Sequence, residues 1–280
     1  MTRLVAVPNV SEGRDEAVLD AIGNAFARHA RVLHRSADAD HHRAVYFLVG
    51  AAGELHRALA AGAVEAAARI DLRAHDGLHP RVGALDVAPV VFLEEAQRGA
   101  AIAEALLAAD AIGAAGIPAF LYGELAGGRT RAELRNGGPE GLAARGTTPD
   151  YGPIRLHPSA GATLVAARSP LIAFNLELAP PATVADARRI AALIREGGAE
   201  GMAGVRALGL HLARRDTIQV STNVEDHRAV TATAVLAAVA RHHVVKRAEL
   251  VAPAPQAALA GWPADVELST PGAIEALLGR

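Results

Sequence analysis

Residues 4–50 read LVAVPNVSEGRDEAVLDAIGNAFARHARVLHRSADADHHRAVYFLVG. LVAVPNV (4–10) is an apolar run with the character of a strand. In DEAVLDAIGNAFARHA (15–30), Val18, Leu19, Ile22, Ala25 and Phe26 recur at helical spacing. Ser11 or Asp15 stands where a helix cap belongs, with acids in the first turn. ARVLHRSAD (30–38) and RAVYFLVG (43–50) then read as two strands joined by a polar turn. The chain therefore opens strand, helix, strand, strand.

The same grammar continues outward. GELHRALAAGAVEAAARI (53–70) reads as a helix and GALDVAPVVFL (83–93) as a strand, completing β-α-β-β-α-β. A helix over 99–116 and a strand in IPAFLYG (117–123) follow. In the second half, ATLVAARSPLIAFNLEL (162–178) reads as a hairpin turning at Arg168-Ser169-Pro170. TVADARRIAALIRE (183–196) is a helix with Thr183 as its cap. VRALGLHLARRDTIQVSTNV (205–224) is a second hairpin, RAVTATAVLAAVARHH (228–243) a helix and VVKRAELVAP (244–253) a strand. This alternation predicts an α/β (α+β) sandwich of two subdomains, each a mixed sheet covered by helices, with a cleft between them. The breaker APPAT (179–183) sets the expected boundary, giving subdomains of residues 1–179 and 180–280.

Composition narrows the function classes. Of 280 residues, 51% are hydrophobic, enough for substantial cores, and the net charge is −2. A near-neutral chain is a poor bulk binder of nucleic acid or anionic membrane. Mean hydropathy is +0.20, but the most apolar stretch carries Glu104 and Asp110 and is broken by Gly113, Gly116 and Pro118. It reads as a buried helix and a strand rather than a membrane span. The absence of cysteine removes disulfides and thiolate metal sites. With no leader-like start, a soluble cytoplasmic enzyme is expected.

Three clusters carry chemistry. In HDGLHPRVGALDV (75–87), His75 and His79 are four apart, the spacing of two zinc ligands on a helix face. Gly77 and Pro80 argue against a helix there, because the residue before a proline is pushed out of the α region. The alternatives are a solvated polar loop or a catalytic histidine, His79, stiffened by Pro80 beside the cation Arg81. SADADHHRAVYF (36–47) crowds Asp38, Asp40, His41, His42 and Arg43 at a turn. Such a cluster serves as a plain Asx turn or as an acid that orients a histidine from elsewhere. PDYGPIRLHPSAGAT (149–163) is a glycine- and proline-fixed loop that can approach a flat ligand closely. It lacks the phosphate-loop pattern, and no G-x-S-x-G elbow occurs anywhere. The long stretch GGRTRAELRNGGPEGLAARGTTPDYGP (127–153), with one short helix, has the length of a functional connection.

The ordered set VPNVSEG, DADHHR, HDGLHPRVGALDV, LYGE, PDYGP with PSAGAT, LIAFN and QVSTN runs along nearly the whole chain and closely resembles the formiminotransferase family. The resemblance implies two ferredoxin-like-type subdomains and a homodimer. It implies transfer of the formimino group of N-formimino-L-glutamate to N5 of the co-substrate tetrahydrofolate, without a metal, nucleic acid or membrane partner. Formyl transfer from N-formylglutamate and a metal-dependent amidohydrolase remain the alternatives. The family's catalytic histidine falls on His79 and its acidic-turn aspartate on Asp38. Its folate loop falls on Gly152, Pro153, His157, Pro158, Ser159 and Gly161. Arg43 and Arg81 are the expected partners of the substrate carboxylates. The chain departs from the pattern at Asp76 and Leu78, where the family often has Lys and Glu, at His42 in place of Asn, and at Ala160, where an aromatic would cover a pteridine.

Overall fold

Pro8 has no N–H to give a sheet ladder, and it splits the opening run into β1 (Arg3–Ala6) and β2 (Asn9–Val10). The computed structural model describes residues 2–279. The helix α1 (Glu16–Ala27) starts at Asp15, whose carboxylate accepts from the N–H groups of Ala17 and Val18 at 2.9 and 3.1 Å. This settles the choice of cap, since Ser11 instead donates its hydroxyl to the Gly83 carbonyl. β3 (Arg31–Asp38) and β4 (Arg43–Ala51) form the expected antiparallel pair. α2 (Leu55–Arg69) and β5 (Leu85–Val91) complete the first β-α-β-β-α-β set.

The chain divides into two units at Arg168/Ser169. In the first, β4 lies beside the broken β1/β2 strand, and that strand pairs on its other side with β5, all antiparallel. With β3 outside β4, the four strands take the order of a ferredoxin-like split βαβ. The sheet is then extended in parallel: after α3 (Arg98–Ala114), β6 (Ala119–Leu121) lies outside β7 (Thr163–Arg168), which pairs with β5. One face packs α1, α2 and α3 around Leu4, Phe26, Tyr46, Leu59 and Ile112. The opposite face carries a smaller cluster of Val87, Phe120, Tyr122 and Leu164. Leu134 of α4 (Arg131–Arg135) and Leu142 of α5 (Gly138–Ala144) cover it. These two helices occupy the long 127–153 connection, where the sequence suggested one.

The second unit repeats the topology. β8 (Ile172–Leu178), α6 (Val184–Ile194), β9 (Val205–Leu212), β10 (Thr217–Val224), α7 (Ala232–Ala240) and β11 (Val245–Leu250) form it. The strand order β11-β8-β10-β9 is extended at one edge by β12 (Glu267–Ser269), parallel to β11, and α8 (Ile274–Leu278) closes the described chain. Thr183 caps α6 in a reciprocal capping box with Asp186. The core is Phe174, Leu176, Ile190, Val220, Val235 and their neighbours.

One sequence expectation is overturned. Residues 162–178 are not a hairpin: β7 bonds to β5 and β6, whereas β8 bonds to β10 and β11 in the other sheet. Two apolar runs around a Ser-Pro turn look alike whether they pair with each other or with strands distant in sequence. The turn at Arg168-Ser169-Pro170 is the junction between units. The Pro180-Pro181 breaker lies inside the second unit, leading from β8 into α6. No helix among the described residues is long and apolar enough to cross a membrane.

Candidate active site

The site is built on a β-bulge. Val10 pairs with Leu85 and Asn9 with Val87, so Asp86 is the extra residue of β5. A bulge re-aims one side chain out of the regular alternation. Here it places a carboxylate, fully buried, on the sheet face turned away from α1–α3. Asp86 Oδ1 accepts from the Val82 N–H at 2.8 Å. Oδ2 accepts from Arg43 Nη1 at 2.7 Å and also from Arg135 Nη2 of α4. Burial pushes the carboxyl up, but Arg135 and Arg43 outweigh it and hold it well below the usual carboxylate range. Arg43 gives its Nε to Asn9 Oδ1 at 3.0 Å. Its burial lowers the guanidinium to about 10 against the opposing pull of Asp86.

His79 stands beside this group. Its Nδ1 is 2.7 Å from the Pro80 carbonyl oxygen. A carbonyl only accepts, so Nδ1 carries the proton and Nε2 presents its lone pair. Enclosure by the protein pushes the imidazole well below its ordinary value, and Arg43 and Arg135 push the same way. His79 is therefore neutral at physiological pH. Its ring meets His41 edge-on, with centroids 6.2 Å apart.

Two turns hold that histidine. Asp38 Oδ1 accepts from the N–H groups of Asp40 and His41 at 2.9 and 2.8 Å, which shapes the 38–42 turn. The Asp40 carbonyl accepts from the Leu78 N–H at 3.1 Å, joining that turn to the 75–79 loop. Arg81 donates to the carbonyls of His75, Gly77 and His79 at 2.6, 2.9 and 3.2 Å. The geometry thus gives Arg81 the task of bracing the loop, and Arg43 that of an ion pair with Asp86. His75 stacks on His42 with centroids 4.2 Å apart. Its Nδ1 accepts from the Gly77 N–H and its Nε2 donates to the His42 carbonyl. Both His75 nitrogens are thus engaged in holding the loop. Among the described residues no three His, Asp or Glu side chains are placed to hold a metal ion.

The departures from the family pattern have local partners. Asp76 bonds Arg14 Nη1 at 2.6 Å, and Arg14 Nε reaches the Ala39 carbonyl, so the pair ties the 75–79 loop to the 38–42 turn. His42, at φ +50°, takes the Gly13 N–H on its Nδ1 at 3.1 Å while stacking on His75. Leu78 is exposed.

The 157–161 segment is laid along the same strand entrance. His157 and Gly161 exchange backbone hydrogen bonds at 2.9 Å, and His157 Nδ1 accepts from the Ala160 N–H at 3.0 Å. The Ala160 carbonyl accepts from Ala84 N–H, and Ala162 N–H donates to the Val82 carbonyl. Gly161, at φ +67°, lies so close that a Cβ there would sit 2.0 Å from the Val82 oxygen. Ser159 takes the Leu72 N–H on its carbonyl. So the segment carrying His157, Pro158, Ser159 and Gly161 is bonded to the strand entrance at Val82 and Ala84, three and five residues of chain beyond His79. Gly152 instead packs on Gly113 near the end of α3, with exposed Pro153 after it. Ala160 is buried in the main core.

Sequence reasoning did not single out Asp86, Arg135 or Tyr122 as a group. Arg135 lies in the long connection flagged for its length, and the bulge that turns Asp86 inward has no signal in a single sequence.

Against known proteins, the family model described as "Formiminotransferase domain, N-terminal subdomain" matches residues 3–168. A glutamate formimidoyltransferase of Streptococcus pyogenes serotype M1 is 36% identical over 239 residues, covering 80% of this chain and 78% of that protein. A glutamate formimidoyltransferase of Thermoplasma acidophilum is 32% identical over 240 residues, 81% of this chain and 78% of that protein. The formimidoyltransferase-cyclodeaminase of Rattus norvegicus is 37% identical over 246 residues, 81% of this chain but 44% of that longer protein.

Proposed function

The chain belongs to the formiminotransferase family, and from that premise we propose that it transfers the formimino group of N-formimino-L-glutamate to N5 of tetrahydrofolate. The observation that carries the reading is the tautomer of His79, neutral and with Nε2 free to take a proton.

Tetrahydrofolate supplies a secondary amine, N5, that becomes a strong nucleophile as its proton leaves. His79 Nε2 takes that proton while N5 bonds to the amidine carbon. His79 then returns it to the glutamate nitrogen as the carbon–nitrogen bond to glutamate breaks. Proton count and charge balance, and the histidine ends as it began. Shared acid–base work of this kind contributes about 10²–10⁴-fold. Pro80 fixes the ring through its carbonyl, and Asp38 orders the turn that carries His41 against His79. Gly161, pinned against the Val82 carbonyl, lets the 157–161 backbone lie close beside the strand entrance that follows His79, and this supports placing the flat folate ring there. The homodimer and the cytoplasmic setting that the resemblance implies belong to this proposal, and sedimentation tests the former.

The test is a transfer assay with N-formimino-glutamate and, separately, N-formylglutamate, following the substituted folate formed. Wild-type protein is expected to turn over the formimino donor. His79→Ala is expected to lose about 10²–10⁴-fold in kcat while keeping its melting temperature and its folate affinity. Full turnover by His79→Ala removes His79 from the reaction, and no turnover by the wild type removes the reading altogether.

A further inference from the structure

Beside His79, two guanidinium groups converge on one carboxylate oxygen: Arg43 and Arg135 both donate to Oδ2 of Asp86. Arg131, one helical turn before Arg135 on α4, adds its field to Arg43 and lies 5.7 Å from the Tyr122 ring centre. A buried cation without a full counter-charge is costly, and burying a donor without an acceptor costs more. Two groups on this face are buried in that way: Arg135 Nε and the Tyr122 hydroxyl are both enclosed and have no hydrogen-bond partner. Both belong to the same sheet face, Tyr122 packing in one cluster with Leu134, the neighbour of Arg135. What these two donors lack is an acceptor.

We propose that Arg135, positioned by Asp86 and assisted by Tyr122, binds the α-carboxylate of the formimino-glutamate donor. The proposal rests on the formimino-transfer reading and adds to it the residue that recognises the donor. The chemistry selects which carboxylate. The donor's α-carboxylate is on the carbon bonded to the leaving nitrogen, the atom to which His79 returns its proton, so it lies close to the base. The carboxylates of the folate tail lie beyond its aromatic ring, far from N5. The donor's side-chain carboxylate is separated from the reacting nitrogen by two further methylenes. Of the three, the α-carboxylate is held nearest the reacting nitrogen, so it best suits a guanidinium adjoining His79. Arg43 is the less suited of the two arginines, because Asn9 and Asp86 already hold its Nε and Nη1. Arg135 has its Nε still to give, and it is the last residue of the short helix α4.

The experiment compares two donors on purified full-length enzyme: N-formimino-glutamate, and N-formimino-4-aminobutyrate, which differs only in lacking the α-carboxylate. Wild type is expected to prefer the first by roughly 10–100-fold in kcat/KM, the worth of a charge-assisted hydrogen bond. Arg135→Gln is expected to lose that preference and to treat the two donors nearly alike, with the KM for tetrahydrofolate unchanged. Arg135→Lys keeps the charge and should recover part of it. Tyr122→Phe should lose a smaller share. Arg135→Gln slowing both donors equally, or raising the folate KM instead, overturns the proposal while leaving the transfer reaction intact. Wild type inactive on either donor overturns both. If Arg135→Gln does not fold, Tyr122→Phe and Arg135→Lys carry the comparison, and an unchanged donor preference in both refutes it.

Discussion

His79 works as a base only while it is neutral. The burial and the two arginines that depress its pKa therefore extend its activity to lower pH. The expected acid limb of kcat/KM falls below the ordinary histidine value of about 6.5. Removing one arginine raises the histidine pKa, so Arg135→Gln should move the limb toward 6.5, measured as a pH–rate profile. His75 tells a stability story instead. Burial, then Arg81 and His42, lower it to about 4 in the folded chain. The unfolded chain thus binds the extra proton between about pH 6.5 and 4, and stability rises with pH across that window. The contribution is complete above about 6.5 and lost as pH falls toward 4. Discounted for partial exposure it is on the order of 1–2 kcal/mol. Chemical denaturation at pH 7 and pH 4.5 should show that loss, and His75→Asn should flatten it.

At the scale of elements, the site depends on backbones that approach closely. Gly161 has a left-handed φ and no room for a Cβ against the Val82 carbonyl. Gly161→Ala combines αL strain with a clash onto backbone that cannot yield, so a loss of about 2 kcal/mol or more is expected. Because the 157–161 loop is pinned through that contact, folate affinity should fall with it, read by binding titration. Gly62 plays the packing counterpart between α1 and α2: a Cβ there would lie 2.0 Å from the Phe26 ring. Gly62→Ala gains helix propensity but overpacks the core, and a net loss of about 1–3 kcal/mol is expected. Its distance from the His79 loop in the fold leaves the donor KM unchanged. α4 is the element whose role is hardest to read locally. Its capping box, Thr130 with Glu133, fixes where it starts, and only the sheet beneath it explains why Arg135 points inward.

For the whole molecule, the order of strands is the organising fact. Each unit is one β-α-β-β-α-β repeat with the same strand order, and the first has β6, β7 and α3 added. The two units keep separate hydrophobic clusters, with no buried residue common to both. Leu176 of β8 is fully buried in the core of the second. Leu176→Ala is expected to cost about 2–5 kcal/mol. Amide exchange should then quicken within residues 169–279 while the strands around His79 keep their protection.

The sequence by itself determined the elements. Hydrophobic spacing set α1, α2, α3, α6 and α7, and Asp15 and Thr183 marked helix starts that the structure keeps. Pro80 after His79 argued against a helix through the 75–79 loop, which the structure leaves non-helical, and the ordered motifs pointed to the family. These are local properties: periodicity, capping and backbone restriction act over a few residues, so they survive in a string of letters. The tertiary structure decided pairing and charge. It sent β7 and β8 to different sheets, because strand pairing joins residues far apart in sequence. It turned Asp86 inward at a bulge, and it committed Arg81 to three carbonyls. It brought Arg135 from a surface connection onto the same carboxylate as Arg43. A charge placed by its spatial neighbours has no local signature, and that is why the arginine beside His79 had to be found in three dimensions.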